Sequence, residues 1–169
     1  MSTVLDVVRI VAIGAGATAV MDAWLALQQR MGARPLDFAL VGRWVGNMRR
    51  GEFVHAAIAN ARPVPGERAL GWLTHYLVGV AFAALLVAVA GPTWLREPTL
   101  APALLLGVAT VVAPLFVMQP AMGAGFAASR TPQPAKSRLR SVVNHTVFGA
   151  GLYVTAAVID AIVRLQPAR

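Results

Sequence analysis

The sequence predicts an all-α protein: a four-transmembrane-helix bundle, with a cytoplasmic amphipathic helix between spans one and two. Three observations predict it. The 169 residues are 57% hydrophobic and only 13% charged, against about 25% charged for a typical soluble domain. Mean hydropathy is +0.64, which fits a chain solvated largely by lipid. Four apolar stretches, about 4–29, 68–90, 99–118 and 138–163, each supply the roughly 20 residues that a membrane-crossing helix needs. The length fits one integral membrane domain, 1–169.

The first stretch opens MSTVLDVVRIVAIGAGATAVMD, with Asp6 ahead of Arg9 and no positive n-region. Its apolar pattern continues through Trp24 to Leu27, so it reads as a retained span rather than a cleaved leader. In the loop that follows, PLDFALVGRWVGNMRRG (35–51) starts with Pro35 and ends Arg49-Arg50-Gly51, ordinary start and stop signals. Leu40, Val41, Trp44, Val45 and Met48 recur at helical spacing. That predicts an amphipathic helix either on the cytoplasmic leaflet or packed over the mouth of the bundle. A second short helix is expected at about 53–61. Gly91-Pro92 stops the second span, and Thr99 and Ser137 stand as N-caps of the third and fourth. Pro114 should kink the third span and free the carbonyl of Thr110.

Charge sets the expected orientation. Arg30, Arg34, Arg43, Arg49, Arg50, Arg62, Arg68, Arg130, Lys136, Arg138 and Arg140 put eleven cations in the two long loops. The other side has only Arg9, Arg96, Arg164 and Arg169. The excess places the loops in the cytoplasm and both termini in the periplasm. The net charge of +8 therefore reads as loop charge beside a membrane, with no nucleic-acid partner. Arg43, Arg49, Arg50, Arg68, Arg138 and Arg140 are candidates for lipid headgroups or other anions. The absence of cysteine rules out disulfides and thiolate metal sites.

A weak internal repeat runs through the chain. Residues 28–33 read QQRMGA and 119–124 read QPAMGA, while GWLTHYLVG (71–79) and SVVNHTVFG (141–149) share a central histidine with a glycine four residues later. Repeated or not, the second and fourth spans run in the same direction. His75 lies eight residues beyond Glu67 and His145 eight beyond Ser137, about 12 Å at 1.5 Å per residue.

Three readings fit two imidazoles at matching depth. Small residues four apart let helices pack closely, with each histidine bonded across the contact. Alternatively the pair ligates haem b, with Arg68, Arg138 or Arg140 meeting its propionates. In the third reading a metal or proton site uses His75, His145 and Asp22. Asp22, in AVMDAWL, is a carboxylate inside the first span, where burial costs about 2.5–3.5 kcal/mol unless it is partnered. Thr18, Thr74, Asn144 and Tyr76 are available to complete its network. Asp160 and Arg164 are expected to form a surface pair, and His55 to be a solvated loop residue. The 119–134 segment lacks the spacing of a nucleotide-binding motif, and no hydrolase or HExxH pattern is present.

GATAVMD (16–22), LVGRWVG (40–46), GERALGWLTHY (66–76), QPAMGAGFAASRTP (119–132) and HTVFGAGLY (145–153) resemble a family of small bacterial membrane proteins, catalogued as domain of unknown function 2938. The resemblance implies a bacterial inner-membrane protein of about four spans and carries over no site residues. The functions expected are a polar cluster that binds a small ligand or stabilises the bundle, a haem b redox protein, or a small proton-coupled transporter using Asp22. At 169 residues a carrier would need a homo-oligomer to enclose a pathway.

Overall fold

The computed structural model describes residues 3–165, and among these every regular element is helical. The elements are α1 (Thr3–Arg30), α2 (Phe38–Asn47), α3 (Glu67–Ala90), α4 (Leu100–Ala109), α5 (Gln119–Ala121) and α6 (Pro134–Leu165). Four stretches are long and apolar enough to cross a membrane: Val4–Arg30, Glu67–Ala90, Leu100–Ala121 and Pro134–Leu165. Their outward faces carry residues such as Val89 and Leu105, more than 70% exposed. Exposed apolar residues of this kind on helices of that length fit a lipid surround.

α1 lies between α3 and α6, and α6 packs in turn on α4. The contacts descend along one helix as they climb the other. Thr18 meets Gly79 and Asp22 meets His75, while Ala17 meets Gly151 and Gln28 meets Asn144. Both pairs are therefore antiparallel, and α3 and α6 run in the same direction, as expected. Phe82 and Phe148 stand edge to face across the middle, 6.2 Å apart, over a core of Ile13, Ala17, Leu86 and Leu152. The helices come close through glycine: a Cβ on Gly107 would stand 2.5 Å from the Gly149 Cα.

The two hairpins share a detail that supports the repeat. After α1, Met31, Gly32 and Ala33 donate to the carbonyls of Leu27, Gln29 and Gln28. After α5, Met122, Gly123 and Ala124 donate in the same register to Met118, Pro120 and Gln119. Both are Schellman endings, and Gly32 (φ 89°) and Gly123 (φ 93°) take the left-handed position that excludes a side chain.

Four expectations are corrected. α6 starts at Pro134, not Ser137. Proline suits a first helical position, and Ser137 N already donates to the Gln133 carbonyl. The amphipathic helix starts at Phe38 rather than Pro35, because the Asp37 side chain accepts from Ala39 N at 3.0 Å and caps it. The 53–61 segment holds only a 3₁₀ turn, Ile58–Asn60. Its backbone is used elsewhere: His55 N and Ile58 N donate to the carbonyls of Ala121 and Met122, pinning the loop to the end of α5. Pro114 does disrupt its span, by a π-helical turn over Ala113–Met118, but the Thr110 carbonyl is not left free. It accepts from Ala113 N at 3.0 Å.

α2 packs against the start of α3. A Cβ on Gly71 would collide with the Phe38 carbonyl, and one on Gly42 with the Glu67 carbonyl. No residue from Phe38 to Met48 is fully exposed. Arg43 clamps the contact with a two-pronged bond to Glu67, at 2.9 and 2.7 Å. That hydrogen bonding raises the arginine's already high pKa, so the fork stays charged. Arg43→Ala should loosen α2, and limited proteolysis between the first two spans should then run faster than in the wild-type protein.

Candidate functional site

Three clusters of polar side chains tie the long helices to one another. Asp22 of α1 is the centre of the first: one carboxylate oxygen lies 2.9 Å from His75 Nε2, and the other accepts from the Tyr76 hydroxyl at 3.0 Å. The two α3 residues are neighbours in sequence, so the carboxylate is held across the helix from two directions. Asp22 and His75 retain side-chain exposures of 19% and 12%, so the pair is enclosed without being sealed. Phe38, from the first turn of α2, closes it: its ring lies 4.5 Å from the His75 ring and 4.4 Å from Trp72. Trp72 in turn stands edge-on to His75 at 5.9 Å. A carboxylate and an imidazole at hydrogen-bond distance can share one proton.

The second cluster ties α1 to α6. Trp24 Nε1 and Gln28 Nε2 donate to Asn144 Oδ1 at 3.2 and 2.8 Å. Arg140 Nε donates to Gln28 Oε1 at 2.8 Å, and Arg140 Nη1 to the Arg34 carbonyl. The third ties α4 to α6: Thr110 Oγ1 lies 2.9 Å from His145 Nδ1 and 2.6 Å from the Gly107 carbonyl. Thr110→Val would leave the imidazole without that partner. It should cost about 1–3 kcal/mol, read as a lower unfolding temperature in detergent.

The residues expected in one site are thus distributed. Asp22 and His75 come together as a pair. Asn144 stands level with Trp24 of α1, and Asp22 lies two residues before Trp24, so the two histidines are close in depth. They face different neighbours, however, His75 towards α1 and His145 towards α4. Thr18 and Thr74 turn their hydroxyls to the carbonyls of Gly14 and Leu70 within their own helices. Of the basic candidates, Arg43 is engaged with Glu67 and Arg140 with Gln28, while Arg138, Arg49, Arg50 and Arg68 are exposed, Arg138 donating to the Ala127 carbonyl and Arg50 to Asn47 Oδ1. Asp160 and Arg164 pair at 2.7 Å, and His55 is half-buried where its loop meets α5. Among the described residues no three histidine or acidic side chains stand close enough to hold a metal ion.

Phe38, Trp72, Gln28 and Thr110 were not among the expected site residues. Trp24 and Gln28 on α1, and Arg140 and Asn144 on α6, are each four apart, so that polar ladder has a periodic signal in the sequence. Phe38 has none, because it reaches His75 only through the fold of the loop.

A family model described as Protein of unknown function (DUF2938) matches residues 11–159. The chain belongs to this family. All of Asp22, Phe38, Trp72, His75, Tyr76, Thr110 and His145 fall inside the matched region. The chain matches no curated protein and no solved structure. Family membership names no activity, so the chemistry of this DUF2938 chain rests on the geometry above.

Proposed function

We propose that the protein is a bacterial inner-membrane carrier in which Asp22 and His75 form a proton-loading site, opened and closed from the cytoplasmic side by α2. The carrying observation is the Asp22 carboxylate inside a membrane-crossing helix, bonded to both His75 and Tyr76 and roofed by Phe38. An ionisable pair at that depth is costly to keep, and proton relays are a recurrent use of one. The arginine-rich loops support a cytoplasmic placement of α2 and periplasmic termini. There Arg49, Arg50 and Arg68, all exposed, would meet anionic headgroups.

A second reading is a static clamp, in which Asp22 only fastens α1 to α3. It is favoured by the complete pairing of both carboxylate oxygens. Haem b has less support, since His75 and His145 would have to leave Asp22 and Thr110 and turn to a common gap. Infrared titration separates the first two readings. A proton-loading site predicts a carboxyl stretching band that grows as pH falls and is missing in Asp22→Asn. A band identical in both proteins leaves only the clamp.

A further inference from the structure

The aromatic rings around His75 form a corner that is already filled. The Trp72 and His75 rings, both on α3, stand at 70° to one another with centroids 5.9 Å apart. Phe38 leans into the angle between them, 4.4 Å from the first ring and 4.5 Å from the second. It arrives on α2, which is not one of the membrane-crossing helices. Tyr76 stands 6.4 Å from Trp72 and, with His75, holds the Asp22 carboxylate. With Phe38 withdrawn, the corner is two aromatic walls beside a carboxylate.

Its charge is negative. Among the described residues the only ion-pair partner of Asp22 is His75, which is charged only when protonated. A 19% side-chain exposure keeps the carboxylate within reach of a ligand, and a carboxylate accepts about four hydrogen bonds, of which two are used here. No other cation faces it. Tyr76 is a neutral donor, Asp37 precedes Phe38 on the α2 side, and α6 meets this part of α1 through the neutral Asn144. Arg140, one turn before Asn144, is engaged with Gln28. Aromatic faces attract a cation within about 6 Å of the ring centroid, most strongly where water is excluded. A hard metal ion is poorly served, because it takes about six oxygen ligands and no three acidic or histidine side chains gather among the described residues.

We infer that this corner binds an organic cation, an alkylated ammonium, which takes the place of the Phe38 ring between Trp72 and His75 and sets its charge against Asp22. Phe38 is the internal occupant of the empty site, and loading requires α2 to withdraw it. The inference deepens the proton-loading reading and rests on it in one respect: an ammonium and a proton cannot both neutralise Asp22, so the carrier exchanges one for the other.

Calorimetric titration of the detergent-purified protein with tetramethylammonium chloride, against sodium chloride at the same fixed pH, tests this. Saturable binding of tetramethylammonium alone is expected. Asp22→Asn should abolish it, and Trp72→Leu should weaken it about tenfold, the worth of one partly desolvated cation–π contact. Phe38→Ala should tighten it severalfold, because the competing ring is gone. No saturable binding, an equal response to sodium, binding unchanged in Asp22→Asn, or weaker binding by folded Phe38→Ala overturns the inference. If Phe38→Ala does not fold, the wild-type protein decides: saturating tetramethylammonium should speed proteolysis between the first two spans, and an unchanged rate overturns the site. The infrared band of Asp22 reports the proton alone. Its absence with cation binding intact overturns the exchange and leaves the cation site, while its presence without cation binding overturns the cation site alone.

Discussion

Asp22→Ala should be the most damaging single substitution in the bundle, and Asp22→Asn far milder. Alanine leaves the His75 nitrogen and the Tyr76 hydroxyl without their shared acceptor. A buried polar group stranded in this way costs about 1–3 kcal/mol, and here there are two. Asparagine keeps an oxygen for one partner and offers an amide to the other, so the helices stay tied while the exchangeable proton is lost. Thermal unfolding in detergent reads the difference. If alanine and asparagine lower the transition equally, hydrogen bonding by Asp22 is not what holds α1 to α3.

Gly71→Leu is expected to detach α2 and uncover His75. Even a methyl group at residue 71 would overlap the Phe38 carbonyl, which is backbone and cannot swing aside as a side-chain end would. Overpacking of this kind costs about 1–3 kcal/mol, and here the whole of it falls on the contact between α2 and α3. Because the steric load falls on α2 while α1 and α6 remain packed, the effect should be local. Trp72, now without Phe38 over it, should become more accessible to a water-soluble quencher such as iodide, while the global unfolding transition moves less. Quenching equal to wild type would mean that α2 follows the enlarged residue and stays in place.

The four spans were legible because lipid imposes a length and a composition that few other environments require. Their limits were less so. Ser137 has the chemistry of an N-cap, yet Pro134 starts the helix a turn earlier; both residues suit a helix start, and local preference alone does not rank them. The Asp22 and His75 pairing was accessible from depth counting, since a carboxylate and an imidazole at similar distances from one surface need partners. The separate fate of His145 was not. Residues 75 and 145 occupy the same place in similar nine-residue patterns, and only the packing order of the helices sends one towards α1 and the other towards α4. Phe38 was invisible for the same reason: its role depends on a loop fastened through Asn47, whose side chain is fully buried and donates to the Arg62 carbonyl at 3.1 Å.

A proton-loading site roofed by Phe38 requires that protonation at Asp22 and His75 be coupled to the position of α2. With no cysteine in the chain, spin labels can be placed cleanly at Leu36→Cys and Leu73→Cys, two exposed positions on either side of the α2 contact. The distance between them, measured by pulsed electron resonance in lipid nanodiscs, is predicted to show two populations. Their ratio should change with pH in the wild-type background and become fixed in Asp22→Asn. A single distance at every pH, unaltered by Asp22→Asn, would contradict the account and leave Asp22 as a static fastening between two helices.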